Sequence, residues 1–108
     1  MPLVARRVAS VNKVTYEERK AIYEAALGKW GERSQTMMAV EEMSELTKEI
    51  CKLHRGGRDM DALAEEIADV TIMLEQLGLI YDINDLVCWY MDAKVLRLQN
   101  RVIEKEEV

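Results

Sequence analysis

Apolar residues recur at intervals of three and four along most of this chain, and that spacing is the strongest constraint on its fold. The clearest run comprises Leu63, Ile67, Val70, Leu74 and Leu77. Residues spaced in this way lie on one face of an α-helix. The alternation of apolar and polar residues that marks strands is absent from the sequence. The sequence therefore predicts an all-α protein.

The first predicted helix begins at a capping box. Thr15 and Glu18 have the spacing at which each side chain can bond the other residue's backbone N–H. This predicts a helix over about 16–27. Gly28 and Gly31 follow within a short stretch, and they predict a C-cap and a turn before the next helix.

Three further helices are predicted, which makes a four-helix bundle in a single domain. Their expected bounds are Ser34 to near His54, Asp59 or Asp61 to Gly78, and Asn84 or Asp85 to the C-terminus. Helices with short connections pack as a bundle. A chain of 108 residues suits one core. We therefore expect an N-terminal arm or tail over 1–14 and one all-α domain over 15–108.

Composition excludes several kinds of partner. The net charge of -5 disfavours nucleic acid, whose binding relies on Lys and Arg. No run approaches the roughly 20 apolar residues of a membrane span, and the start lacks a signal-peptide core, so a cytoplasmic protein without membrane contact is expected. Cys51, Cys88 and His54 cannot build an ordinary zinc site.

Two acidic clusters are the strongest functional signal. They comprise Glu41, Glu42, Glu45 and Glu49 on the second predicted helix, and Glu65, Glu66 and Asp69 on the third. Like charges at helical spacing repel, and a bound cation would reverse that penalty. Carboxylates without imidazole or thiolate ligands suit Mg²⁺ or Mn²⁺.

An alternative interpretation is that these carboxylates form solvated helix faces, as most acidic runs do. Against it, Glu42 and Glu45 adjoin the apolar Met43 and Leu46, and a carboxylate near a core edge needs a partner. A di-iron carboxylate bundle is disfavoured, since it needs a His three residues after a Glu on each of two helices.

The two blocks Glu41-Glu42-Met43-Ser44-Glu45-Leu46 and Glu65-Glu66-Ile67-Ala68-Asp69-Val70 resemble the EExxE and ExxD signature of the MazG-like all-α nucleoside triphosphate pyrophosphohydrolases. Trp30-Gly31 and Gln35 precede the first block as an aromatic-Gly pair and a Gln do in that family. The resemblance extends over roughly 16–101.

The resemblance implies the fold, the activity and the metal ligands. In that family a magnesium-bound (d)NTP is cleaved between its α- and β-phosphates to (d)NMP and pyrophosphate. By position, Glu42, Glu45, Glu66 and Asp69 are the expected Mg²⁺ ligands, with Mn²⁺ as a substitute, and Glu41 is the expected catalytic residue that positions or deprotonates the attacking water. Glu49 remains open as a ligand of a second ion.

Substrate contacts are expected from cations and from the residues before the first block. Predicted substrate-binding residues are Lys94, Arg97, Arg101, Trp30 and Gln35. The cations follow i, i+3, i+7 spacing on one face of the last helix and can meet phosphates. Relatives often carry a Lys and an Asn four residues apart on this helix, whereas the residue four after Lys94 is Leu98.

The resemblance also implies a homodimer or homotetramer, in which a pocket takes residues from two chains. Two other functions remain open at this point. One is a noncatalytic helical interaction module, in which metal and stability are not coupled. The other is a divalent-metal-binding bundle that does not turn over nucleotides, for which the cations of the last helix are dispensable.

Overall fold

The structure is a computed structural model that describes residues 13–107, and within that range it is helical apart from short connections. Residues 13–107 form three helices, which are α1 (Tyr16–His54), α2 (Met60–Ile80) and α3 (Asn84–Glu107). The all-α prediction is confirmed for the described residues, which contain no strand. Most of the predicted arm, residues 1–12, lies outside the described residues.

Helix α1 spans the first two predicted helices, and the predicted break between them is confirmed at Gly31, whose backbone is not helical. It begins at the predicted capping box, in which the Thr15 hydroxyl accepts from the Glu18 backbone N–H at 3.1 Å. The prediction that a helix ends at Leu27 is wrong, because Gly28 and the following residues continue it. The break is confined to Gly31, whose φ of 87° favours a residue without a Cβ. Ser34 is therefore inside α1 and is not an N-cap.

Two antiparallel segments, 32–54 of α1 and all of α2, form a helical hairpin. The prediction that the first of these ends near His54 is confirmed, and Asp59 caps α2 by accepting from the Ala62 N–H at 3.0 Å. The prediction that α2 ends at Gly78 is wrong, since it runs to Ile80. The core between the described helices is thin: its buried apolar side chains are Tyr23, Ala39, Val70 and Met73.

Helix α3 begins at Asn84, as predicted. The turn before it is tight: the Ile83 N–H donates to the Gly78 carbonyl at 3.0 Å, and a Cβ at Gly78 would overlap the Asn84 side chain. Beyond this turn α3 makes few contacts with α2, and its side chains through residue 104 are all exposed. In the part of the chain described, no helix has the length and apolarity needed to cross a membrane.

Candidate metal centre and adjoining cavity

Three carboxylates from the two hairpin helices converge at one edge of their interface. Glu42 of α1 and Glu66 and Asp69 of α2 each offer an oxygen, and these oxygens lie within 4.8 Å of one another. All three side chains are partly buried. We call Glu42, Glu66 and Asp69 the acidic triad.

The helical pattern explains why these residues meet. Glu42 lies three residues after the buried Ala39, so both occupy the face of α1 that packs on α2. Glu66 and Asp69 flank the same face of α2, beside the buried Val70. The apolar contacts that join the helices therefore also bring the acidic side chains together.

Burial and mutual repulsion disfavour full ionisation of the triad. The pKa of Glu42 is raised, first by burial and then by the charges of Asp69 and Glu66. The pKa of Glu66 is raised by burial and then by the charge of Asp69, with smaller effects from Glu45, Glu65 and Glu49. Both shifts have the direction expected of carboxylates crowded without a cation.

One triad oxygen has no partner. Glu66 Oε2 is buried and accepts no hydrogen bond from the described protein groups. Such an atom is costly in a folded protein unless something coordinates it. Three convergent carboxylate oxygens, without nitrogen or sulfur ligands, fit a hard divalent cation that keeps waters or phosphate oxygens in its remaining positions.

The other acidic residues of the two sequence blocks lie outside the triad. Glu45 is exposed, and its nearest cation is Lys48 Nζ at 3.8 Å. Glu49 is more enclosed, with 13% of its side chain exposed, and pairs with Lys52 Nζ at 2.9 Å. Glu41 is exposed. The structure thus brings together three of the four predicted metal ligands. The roles of Glu45 as a metal ligand and of Glu41 as the catalytic residue stay predictions.

A cavity of about 300 Å³ lies between α1 and α2, and we call it the Trp30 cavity. Its lining comprises Ala26, Trp30, Ser34, Gln35, Met38, Met73 and Gln76. The structure thus brings together Trp30 and Gln35, both predicted from the sequence to bind substrate. It adds Gln76, which the sequence analysis missed. The signal for Gln76 was a polar residue within the apolar run that ends α2.

The side chains that line the Trp30 cavity suit a flat polar ligand. The Trp30 side chain is 57% exposed, with Lys29 Nζ 5.2 Å from its ring centre. Gln35 and Gln76 are 5% and 8% exposed. Gln76 donates only to the Met73 sulfur at 3.5 Å, and the Gln35 carboxamide bonds no described protein group. An aromatic face and two carboxamides are thus available to a ligand.

The cavity and the triad lie along one groove. Gln35 lies two helical turns before Glu42 on α1, while Met73 and Gln76 lie one and two turns after Asp69 on α2. At 1.5 Å per residue, these offsets place the two sites about 6–11 Å apart along the hairpin. A single ligand the length of a nucleotide can reach both.

A polar cluster that the sequence analysis missed joins the segment 16–30 to α2 near the cavity. Glu75 of α2 accepts from Arg19 Nε at 3.0 Å, from Arg19 Nη2 at 3.1 Å and from the Tyr23 hydroxyl at 2.5 Å. These bonds hold the segment 16–30 on α2 and so position Trp30. The available signal was Glu75 itself, the lone charged residue in 70–81.

The predicted cations of α3 lie apart from this groove. Lys94, Arg97 and Arg101 are exposed, and no ion pair joins them to the acidic triad within the described range. Within the described range, these three cations are therefore not paired with the triad of their own chain.

Comparison of the chain with protein-family models, curated proteins and solved structures gave no match.

Proposed function

We propose that this protein is a magnesium-dependent nucleoside triphosphate pyrophosphohydrolase of the MazG-like kind, which cleaves a (d)NTP between its α- and β-phosphates. The observation that carries the proposal is the acidic triad, with its unpartnered Glu66 Oε2, which lies about 6–11 Å along the hairpin from the Trp30 cavity. This pairing suits a ligand with phosphates at one end and a base at the other.

Glu42, Glu66 and Asp69 hold the divalent ion in this proposal. The ion neutralises phosphate charge and orients the in-line water when bound. Glu45 completes the coordination after a change of its side-chain rotamer, for which its exposure leaves room. Mn²⁺ is the natural substitute for Mg²⁺ in a carboxylate site.

The remaining residues position the substrate and the attacking water. Glu41, one residue before the triad and exposed, orients or deprotonates the attacking water. Trp30 stacks on the base, and Gln35 bonds the base edge, because its carboxamide has both donor and acceptor atoms. Lys94, Arg97 and Arg101 meet the triphosphate.

The proposal includes a homodimer or homotetramer, a four-helix core of the MazG type and a cytoplasmic location, where nucleoside triphosphates are made. Support for assembly comes from α3, whose large apolar side chains are 42–62% exposed. An apolar surface of this extent on a small chain favours a protein partner.

The test is pyrophosphate release from a panel of ribo- and deoxynucleoside triphosphates, with Mg²⁺ and with chelator. Metal-dependent release of pyrophosphate and the matching monophosphate is expected. Asp69→Asn should abolish it, while Glu65→Gln, next to the triad on the exposed side of α2, serves as the matched control.

The divalent-metal-binding bundle is the second candidate, because the acidic triad alone supports it. It predicts Mg²⁺ or Mn²⁺ binding by calorimetry with no turnover on the whole panel. Such a result would overturn the hydrolase. The interaction module predicts neither metal binding nor turnover.

A further inference from the structure

A second cavity, of about 320 Å³, lies where the segment 16–30 meets α2. Its apolar walls come from Val14, Ile22, Ala26 and Ile72, and we call it the Ile22 cavity. Ile22 and Ala26 are one helical turn apart, so both lie on the face of α1 that packs towards α2. Small-molecule sites have volumes of about 300–1,000 Å³, so the Ile22 cavity suits a compact ligand.

The two charges beside the Ile22 cavity already neutralise each other. Arg19 lines the cavity and donates from Nε and Nη2 to Glu75, and from Nη1 to the Val14 carbonyl at 3.3 Å. The Tyr23 hydroxyl, which also lines the cavity, donates to the same carboxylate. A charged ligand would therefore lose its hydration and gain no free opposite charge from the described lining. The charge pattern favours an uncharged ligand.

One buried polar side chain in this lining is available to a ligand. Gln76 is 8% exposed, and its described hydrogen bond is the one from Nε2 to the Met73 sulfur, a weak acceptor. Its carbonyl oxygen accepts no hydrogen bond from the described residues and is not fully enclosed by them. Because Gln76 lines both the Ile22 cavity and the Trp30 cavity, this oxygen faces cavity space. A ligand that carries a donor would satisfy it.

We propose that the Ile22 cavity binds an uncharged, mostly apolar ring compound that carries one hydrogen-bond donor. The apolar walls take the rings out of water, and the Gln76 carbonyl accepts from the donor. A peptide segment fits less well, since every residue brings a backbone N–H and C=O that need partners, and the described lining offers few beyond the Gln76 carboxamide. The walls come from both the segment 16–30 and α2, so binding stabilises the packing between them.

Isoleucine methyl NMR on the full chain locates such a ligand without any substitution. Indole is the probe, because it is uncharged, has two fused rings and carries a single N–H donor. Indole should shift the δ-methyl signals of Ile22 and Ile72 saturably. The signals of Ile50 and Ile67, which are 43% and 48% exposed and do not line the Ile22 cavity, should stay unchanged.

The ε-methyl signal of Met38 distinguishes the two cavities, because Met38 lines the Trp30 cavity and not the Ile22 cavity. Three outcomes would each overturn the inference. They are a shift of Met38 without Ile22 and Ile72, an equal shift of all four isoleucine signals from binding at any exposed apolar surface, and no saturable shift at millimolar indole.

Indene tests the contact with Gln76, since it has the shape of indole and lacks the N–H. The ratio of indole affinity to indene affinity should fall about 2- to 10-fold in Gln76→Leu, the usual contribution of one neutral hydrogen bond. It should stay unchanged in Gln99→Leu, which alters an exposed residue of α3. An unchanged ratio in a folded Gln76→Leu variant would contradict the proposal. If that variant fails to fold, the methyl shifts of the wild type decide. Neither measurement uses nucleotide or metal, so both are independent of the proposed hydrolysis.

Discussion

Glu42 of α1 and Asp69 of α2 hold carboxylate oxygens within 4.8 Å of each other, although the end of α1, a glycine-containing loop and the first part of α2 separate them in sequence. Asp69 is one of the charges that raise the Glu42 pKa. Two carboxylates held this close by apolar packing are a strained arrangement until a cation or a proton joins them. We therefore predict that metal binding stabilises the hairpin.

Neutralising one triad carboxylate should therefore lower the activity without lowering the stability of the metal-free protein. Glu66→Gln is expected to lower pyrophosphate release by about 10²–10³-fold, the usual cost of losing one electrostatic group from a site. Without metal it should melt at the same temperature as the wild type or higher, because repulsion has been removed. Differential scanning calorimetry with EDTA and a turnover assay measure the two effects. A fully active Glu66→Gln variant would show that the triad is not the metal site.

Mg²⁺ should raise the thermal midpoint of the wild-type chain. A ligand that binds only the folded state stabilises it by about 2.7 kcal/mol at 100 times its dissociation constant. The rise should be lost in Asp69→Asn and kept in Glu65→Gln, which leaves the triad intact. An equal rise in all three proteins would indicate nonspecific binding of the ion to acidic surface.

Trp30 should affect substrate affinity more than the chemical step. Trp30→Ala removes the aromatic side chain found among the described residues that line the cavity, so KM is expected to rise about 5- to 150-fold, a loss of about 1–3 kcal/mol of stacking. Trp30→Phe should recover most of it. Nucleotide binding should also quench tryptophan fluorescence in Trp89→Phe, in which Trp30 is the remaining indole. Quenching that survives in Trp30→Phe but disappears in Trp89→Phe would assign the base to α3.

The Tyr23–Glu75 bond predicts how stability changes with alkaline pH. Burial and the Glu75 carboxylate raise the pKa of Tyr23 to about 12, from 10.0. Since the folded pKa lies above the unfolded one, this stabilisation is fully present below pH 10 and is lost as pH rises towards 12. Tyr23→Phe should cost about 1.5–3 kcal/mol at neutral pH and flatten this part of the profile. Urea unfolding at several pH values tests it, with the exposed Tyr90→Phe as control.

Much of the fold follows from local sequence signals. The Thr15–Glu18 capping box and the Asp59 cap act within one helical turn, so the sequence predicts them correctly. Local signals do not predict which of Gly28 and Gly31 interrupts the helix. Both lack a Cβ, and whether a glycine stays helical depends on how the segment 16–30 meets α2. That meeting is set by the Arg19–Glu75 ion pair, a contact between distant parts of the chain.

The same difference between local and distant contacts decides which residues of the candidate site could be predicted. Glu42, Glu66 and Asp69 could be predicted because helical spacing places them beside the apolar residues that join two helices. Gln76 is a polar residue within an apolar run, but that signal does not predict that it lines a cavity with Trp30 and Gln35 of α1. The packing of α3 is harder to predict from the sequence. Its apolar pattern predicts that one face is covered, but it does not predict which chain covers that face.

Arg97 and Arg101 provide the last prediction, which is that a neighbouring copy supplies the cations of each site. In one chain no described ion pair links α3 to the triad, yet a triphosphate bound there needs cationic contacts.

Asp69→Asn and the double variant Arg97→Gln, Arg101→Gln should each be inactive alone. If the cations act across the interface, a mixed dimer has one site with an intact triad and intact arginines. Random exchange then restores about a quarter of wild-type activity in a dimer. Combining all three substitutions in one chain and mixing it with Asp69→Asn should restore none. If the first mixture stays inactive after subunit exchange is verified by mass, the cations act within their own chain, and α3 must fold back on its own hairpin when substrate binds.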